Sequence, residues 1–305
     1  MTSILTRREL LTGGLGLVGL GATVPNYLIH SALAAAATPR RNDRIVISIL
    51  LTGGPDGLSL VPPHGHKEYY DVRPKLAYRE KEVLRLNDQV GLHPRLTGFK
   101  ALLDEGKLAL VQGTAYPNYN LSHFTARDYW EAGNSTDVSG KAGAAGWLGR
   151  YLDCACAGDK GKILNVAVGA MRFPLTITSK AHSGIGFEKP DSFRFEGLLT
   201  QRGREQYLRL NKGGKADAAP KPGAAAADLP FVTQTALSAN EASDLISRIA
   251  GDYQTPVRYP ETEFGSSIRA IAALINGGMS TRVYSAAQGI AVFGGYDTHA
   301  DQICR

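Results

Sequence analysis

The sequence predicts an α/β protein assembled around a largely parallel sheet, and three observations predict it. Residues 45–51, Ile-Val-Ile-Ser-Ile-Leu-Leu, are β-branched, almost continuously apolar and bounded by Gly53-Gly54-Pro55. Such a run reads as a strand covered on both faces, the habit of parallel sheets. A helical pattern over 94–105 and a second apolar run, Leu108-Ala109-Leu110-Val111, follow it in the rhythm of a βαβ unit. Two further short runs, 165–168 and 290–293, recur downstream, and Gly294-Gly295 stops the last of them.

The first 36 residues read as a leader. Arg7-Arg8 stand before Leu10-Leu11, a glycine-rich apolar stretch covers 13–24, and Ala32-Leu33-Ala34-Ala35-Ala36-Ala37 offers the small residues a signal peptidase requires. The paired arginines point to the twin-arginine export machinery as the first partner. The apolar stretch falls short of the roughly 20 apolar residues of a membrane span. The mature form is therefore expected in the periplasm or at the cell surface, without a stable membrane span.

Residues 37–305 suffice for one large domain or two small ones. Loss of Arg7, Arg8 and Glu9 with the leader lowers the formal charge from +6 to +5. No block of Lys and Arg is interleaved with aromatics, so nucleic acid is not an expected partner. The three cysteines, Cys154, Cys156 and Cys304, are an odd number, which excludes a fully paired disulfide framework. Cys154 and Cys156 fall two apart in a predicted helix and face different ways, a poor metal claw.

The elements follow in order. A proline-rich loop spans 61–75. The helix over 94–105 places Leu96, Phe99, Leu102 and Leu103 on one face and ends at Gly106. Helices are predicted over 122–132, 146–157 and 201–210. Residues 211–230 are dominated by Lys, Gly, Ala, Pro and Asp and read as a flexible low-complexity loop. Ser238-x-x-Glu241 has capping-box spacing before Leu245, Ile246 and Ile249. A last helix over 262–276 turns Ile268, Ile271, Ala272 and Ile275 inward.

The chemistry sits after three of the strands. Gly53-Gly54-Pro55-Asp56-Gly57 follows the first, a segment ending in Ser122-His123 follows the second, and Tyr296-Asp297-Thr298-His299 follows the last. Sites in open α/β sheets lie outside the carboxyl ends of the strands. Parallel strands would bring Asp56, Ser122, His123, Asp297 and His299 to one rim. Carboxylates with imidazoles suit a divalent cation such as zinc or manganese. A serine opening a helix stands where the dipole favours an anion, and activation of its hydroxyl would make it a nucleophile. Each residue also has a plainer use: Asp56 can shape a turn, Ser122 can be an N-cap, and Asp297-x-His299 alone is a weak metal pattern. His64 and His66 read as solvated loop residues and His93 as a helix-entrance residue, and His182 has no partner nearby in the sequence.

With these residues in view, the chain resembles the exported proteins grouped as domain of unknown function 1501. The likeness rests on Gly53-Gly54-Pro55-Asp56-Gly57-Leu58, Leu92-His93-Pro94, Val111-Gln112-Gly113 with Tyr116-Pro117, and Ser122-His123-Phe124. It extends through Gly146-Trp147-Leu148-Gly149-Arg150 and residues 294–302. That family is similar to a distant branch of the alkaline phosphatase and sulfatase superfamily. The resemblance implies a three-layer α/β/α sandwich and a metal-dependent phosphate or sulfate ester hydrolase. Asp56, Asp297 and His299 are the implied ligands of zinc, manganese or calcium, Ser122 the implied nucleophile, and His123 a substrate-orienting or proton-donating group. The superfamily spaces its Asp and His more widely than Asp297-x-His299. Family members also continue past this segment, so the resemblance implies a fragment, a frameshifted product or a degenerate copy, incomplete at its C-terminal side, poorly soluble without a partner and inactive or weakly active. A non-catalytic periplasmic or cell-surface binding protein for an unknown small-molecule ester or ligand is the alternative.

Replacing Arg7 and Arg8 together by Lys should leave the precursor in the cytoplasm, as read by cell fractionation; normal export of that variant would remove the twin-arginine assignment.

Overall fold

The computed structural model describes residues 44–117, 119, 121–134, 144–159, 163–170, 172–193, 200–211, 242–289 and 295–297. The leader, most of the 211–230 loop, the predicted 290–293 strand, the Ser238–Glu241 cap, His299 and Cys304 lie outside them. Two compact units emerge. One takes the described chain up to Leu50 and again from Phe124 to Ala287; the other takes Leu51 to His123 and the described residues from Gln288 onward.

The strands are β1 (Val46–Leu51), β2 (Leu84–Arg85), β3 (Gly91–Leu92), β4 (Asn165–Val168), β5 (Ile185–Phe187) and β6 (Val283–Gln288). The helices are α1 (Gly57–Leu60), α2 (Lys67–Val72), α3 (Thr97–Asp104), α4 (His123–Ala132), α5 (Trp147–Ala155), α6 (Gln201–Asn211), α7 over residues 242–252 and α8 (Glu263–Asn276). Four strands form a parallel sheet in the order β1-β6-β4-β5. Val166 pairs with Ile185 on one side and with Tyr284 on the other. The Val46 N–H donates to the Arg282 carbonyl and the Thr52 N–H to the Gln288 carbonyl, both at 2.9 Å, so β1 and β6 also run in the same direction. The protein is thus of mixed α/β class. A separate antiparallel pair joins β2 to β3.

The core is organised around β4, whose four residues are all fully buried. Strand residues alternate between faces. Val166 and Val168 join Ile185, Phe187, Tyr284 and Ala286 in one apolar cluster with Ala270, Ile271 and Leu274 of α8 and Ile246 of α7. Ala167 and Val283 turn the other way, into a cluster with Leu148, Leu152 and Cys156 of α5 and with Ile177. The i, i+4, i+8 spacing of Leu148, Leu152 and Cys156 makes that helical stripe. Burying a leucine such as Leu152 or Leu274 stabilises by about 1.5–3 kcal/mol. The buried Asn165 amide donates to the Ile177 carbonyl at 2.7 Å and ties the 175–177 turn to β4. Glu131, almost wholly buried at the end of α4, pairs with Arg127 at 2.5 Å and accepts the Thr176 N–H at 3.2 Å. Thr262 caps α8 by accepting the Gly265 N–H at 3.0 Å.

Several expectations are corrected. β1 is a strand, but it lies at the sheet edge with Val46, Ile47 and Ile49 exposed, not covered on both faces. Residues 108–111 form no strand; they lack a ladder partner among the described residues, and Val111 is exposed. α3 forms where expected and ends as Gly106 takes a φ of 67°, yet Phe99 and Leu102 face solvent. β6, a strand not anticipated from the sequence, lies upstream of the predicted 290–293 run, which is outside the described residues. Only Val283 and Tyr284 of its Val-Tyr-Ser-Ala-Ala-Gln sequence favour a strand, and burial between β1 and β4 decides the state of the rest. His64 is buried, not solvated. No helix among the described residues is long and apolar enough to cross a membrane.

The α5 contact generates a sharp test. A Cβ on Gly149 would stand 1.8 Å from the Thr178 carbonyl oxygen, whereas one on Gly158 would meet nothing within 4 Å. Gly149→Ala should destabilise by about 1–3 kcal/mol or more, through backbone displacement. Gly158→Ala is the control. Equal urea midpoints for the two variants would contradict the packing of α5 on the 175–178 turn.

Candidate functional site

The site candidates all belong to the unit that contains Leu51 to His123 and the residues from Gln288 onward. After β1 the backbone turns through Gly53 and Gly54, with φ of 89° and 72°, angles that glycine adopts without strain. This turn delivers Asp56 to the start of α1, where it is the N-cap. Its carboxylate accepts the Leu58 N–H at 3.3 Å and the Ser59 hydroxyl at 2.5 Å.

A larger claim on that carboxylate comes from Arg73, at the C-terminal end of α2. The Arg73 Nη1 reaches Asp56 Oδ2 at 2.5 Å and Nη2 reaches Oδ1 at 2.8 Å, a two-pronged guanidinium–carboxylate pair. Both side chains are largely withdrawn from solvent, Asp56 at 12% and Arg73 at 21% exposure. Burial acts to raise the Asp56 pKa, but the Arg73 hydrogen bonds and charge, with those from Ser59 and Leu58, outweigh it and hold the carboxyl below its ordinary value. The same pair raises the pKa of Arg73.

Behind Arg73, three aromatic side chains brace the loop. The Tyr69 hydroxyl accepts the Tyr78 N–H at 3.0 Å, and the Tyr78 hydroxyl meets His93 Nε2 at 2.9 Å. The Arg95 N–H donates to His93 Nδ1 at 3.2 Å. A ring nitrogen that accepts a backbone N–H carries no proton, so the neutral His93 holds its proton on Nε2 and donates it to Tyr78. Burial first, then the charge of Arg95, keeps the His93 pKa below the ordinary imidazole value.

The second group gathers at the start of α4. Ser122 directly precedes the first helical residue, and His123 Nε2 lies 3.5 Å from Asp297 Oδ2. His123 is about half exposed and Asp297 half-buried, at 52% and 27%. Asp297 is held near the end of β1 by backbone contacts. The Tyr296 N–H donates to the Thr52 carbonyl at 2.7 Å, and Gly295 turns with a φ of 61° so close that a Cβ would stand 2.2 Å from the same oxygen. A glycine is required there on both counts.

Of the five residues predicted to share a rim, the structure brings His123 and Asp297 together, with Ser122 adjoining in sequence. Asp56 is directed to Arg73. His299 lies outside the described residues. Arg73 was not anticipated: it stands 17 residues from Asp56 in a proline-rich stretch, and no short-range spacing links them. The available signal was the unlike charge of Asp56, just before the stretch read as loop, and Arg73, near its end. Asp56 as it stands leaves no acceptor direction for a divalent cation. The four acceptor directions of the Asp56 carboxylate are taken by two guanidinium nitrogens, a hydroxyl and a backbone N–H. Among the described residues, no group of three or more His, Cys, Asp or Glu is placed to hold a metal ion.

No family model, curated protein or solved structure matches the chain.

The Asp56 environment fixes a pH dependence. With the folded pKa lowered below its ordinary 3.8, the carboxylate's contribution to stability is complete above that value and is lost as pH falls through the lower folded value. Asp56→Asn should therefore flatten the acid limb of a stability–pH profile below pH 3.8. Wild-type and variant profiles that fall in parallel through this range would contradict the assignment.

Proposed function

We propose that this chain is an exported protein on a scaffold resembling the alkaline phosphatase and sulfatase superfamily, by way of the domain of unknown function 1501 family. Its two apolar clusters, one joining the sheet to α7 and α8 and the other to α5, support a three-layer α/β/α sandwich. The twin-arginine leader supports delivery to the periplasm or cell surface.

The reading of the site is of a phosphate or sulfate ester hydrolase that is weakly active or inactive as given. The observation that carries it is the meeting of His123 with Asp297 at the start of α4, where Ser122 precedes the first helical residue. In this reading Ser122 is the nucleophile. Its place at the N-terminus of a ten-residue helix favours an anionic ester group. His123 orients the substrate or donates a proton to the departing alcohol, and Asp297, 3.5 Å from its Nε2, holds the ring in place. Weak activity follows from Asp56, whose carboxylate is already satisfied and contributes nothing to the ester.

That same observation favours a second reading, a non-catalytic binding protein that has kept the scaffold. Fold alone does not separate the two. The full chain, incubated with 4-nitrophenyl phosphate and 4-nitrophenyl sulfate, should show slow turnover that falls at least about 100-fold in Ser122→Ala. Slow turnover unchanged in that variant would remove the nucleophile assignment. Thermal stabilisation by such esters without turnover is the result expected of a binding protein.

A further inference from the structure

We infer that Arg73 is the resident cation of the Asp56 position, a side-chain charge seated where the resembled scaffold would hold a metal ion. The inference rests on the proposed scaffold for the identity of the Asp56 position, and on geometry for the rest.

A carboxylate offers about four lone-pair directions. Arg73 takes one on each oxygen, at 2.5 and 2.8 Å, Ser59 takes a second on Oδ2, and the Leu58 N–H takes a second on Oδ1. A divalent cation would have to displace the guanidinium, because a metal and an arginine cannot share the same lone pairs. Displacement leaves a charged guanidinium without its carboxylate at a position that is only one-fifth exposed, and a partly buried charge that loses its partner is costly. The cation is also covalently attached: Arg73 is 17 residues away along the chain, in the same compact unit, so it competes at a high effective concentration that free metal must exceed. Tyr69, one turn before Arg73 on α2, is buried and fixed by Tyr78. The helix end that carries Arg73 is therefore anchored, and the guanidinium has little freedom to swing away.

The experiment is manganese binding by calorimetry, on the full chain and on Arg73→Gln, Asp56→Asn and the double variant. Glutamine keeps a polar amide for Asp56 but removes the charge. Arg73→Gln should bind manganese at least about tenfold more tightly than wild type, and the gain should vanish in the double variant. Asp56→Asn alone should match wild type. Equal affinities for wild type and Arg73→Gln would overturn the inference, as would loss of wild-type binding in Asp56→Asn. If Arg73→Gln does not fold, the comparison of wild type with Asp56→Asn decides the point alone. The readout is metal binding, so it fails separately from the ester-turnover test of Ser122.

Discussion

The Asp56–Arg73 pair is the constraint on which the candidate site depends. It closes the turn after β1 onto the end of α2 and settles the state of the one carboxylate that the Gly-Gly-Pro-Asp-Gly segment presents. A partly buried carboxylate is costly unless it is paired and hydrogen-bonded. Here the pairing is complete, with two guanidinium contacts, a hydroxyl and a backbone N–H. The ion pair is thus local architecture and chemistry at once: it holds the loop, and it removes Asp56 from the set of groups open to a ligand. The half-exposed His123 and Asp297 beside Ser122 form the other part of the candidate site.

In the other unit the organising element is β4. Four consecutive buried residues, Asn-Val-Ala-Val, face two apolar clusters by simple alternation, and a buried asparagine adds a polar tie to the 175–177 turn. Small residues decide how closely the neighbours approach. Gly146 and Gly149 let α5 lie directly on the carbonyls of residues 175, 176 and 178. The Gly-Trp-Leu-Gly-Arg motif thereby acquires a packing explanation: glycine wherever backbone meets backbone, and Leu148 in the core between them.

Much of this fold could be read from residue pattern, and the failures share a cause. α4, α5, α6 and α8 formed within a few residues of expectation, because helical periodicity is a local signal. β1 and β4 were legible from β-branched runs. Burial was not: Ile47 and Ile49 look like core residues, but edge position is a property of the whole sheet. Leu108-Ala109-Leu110-Val111 has the composition of a strand but no ladder partner among the described residues, whereas β6 has partners on both sides and only Val283 and Tyr284 to favour a strand. At the site, Ser122, His123 and Asp297 were recognisable from where they fall after apolar runs. Arg73 was not, since a tertiary ion pair across 17 residues leaves no spacing to detect. The aromatic brace of Tyr69, Tyr78 and His93 was hidden for the same reason.

The most direct test is a crystal structure of the full chain soaked in manganese chloride, with anomalous scattering recorded to locate the metal. The account predicts no manganese peak at coordination distance from Asp56, and an Arg73 guanidinium still paired with both carboxylate oxygens. A manganese ion bound to Asp56, with Arg73 turned away, would contradict it.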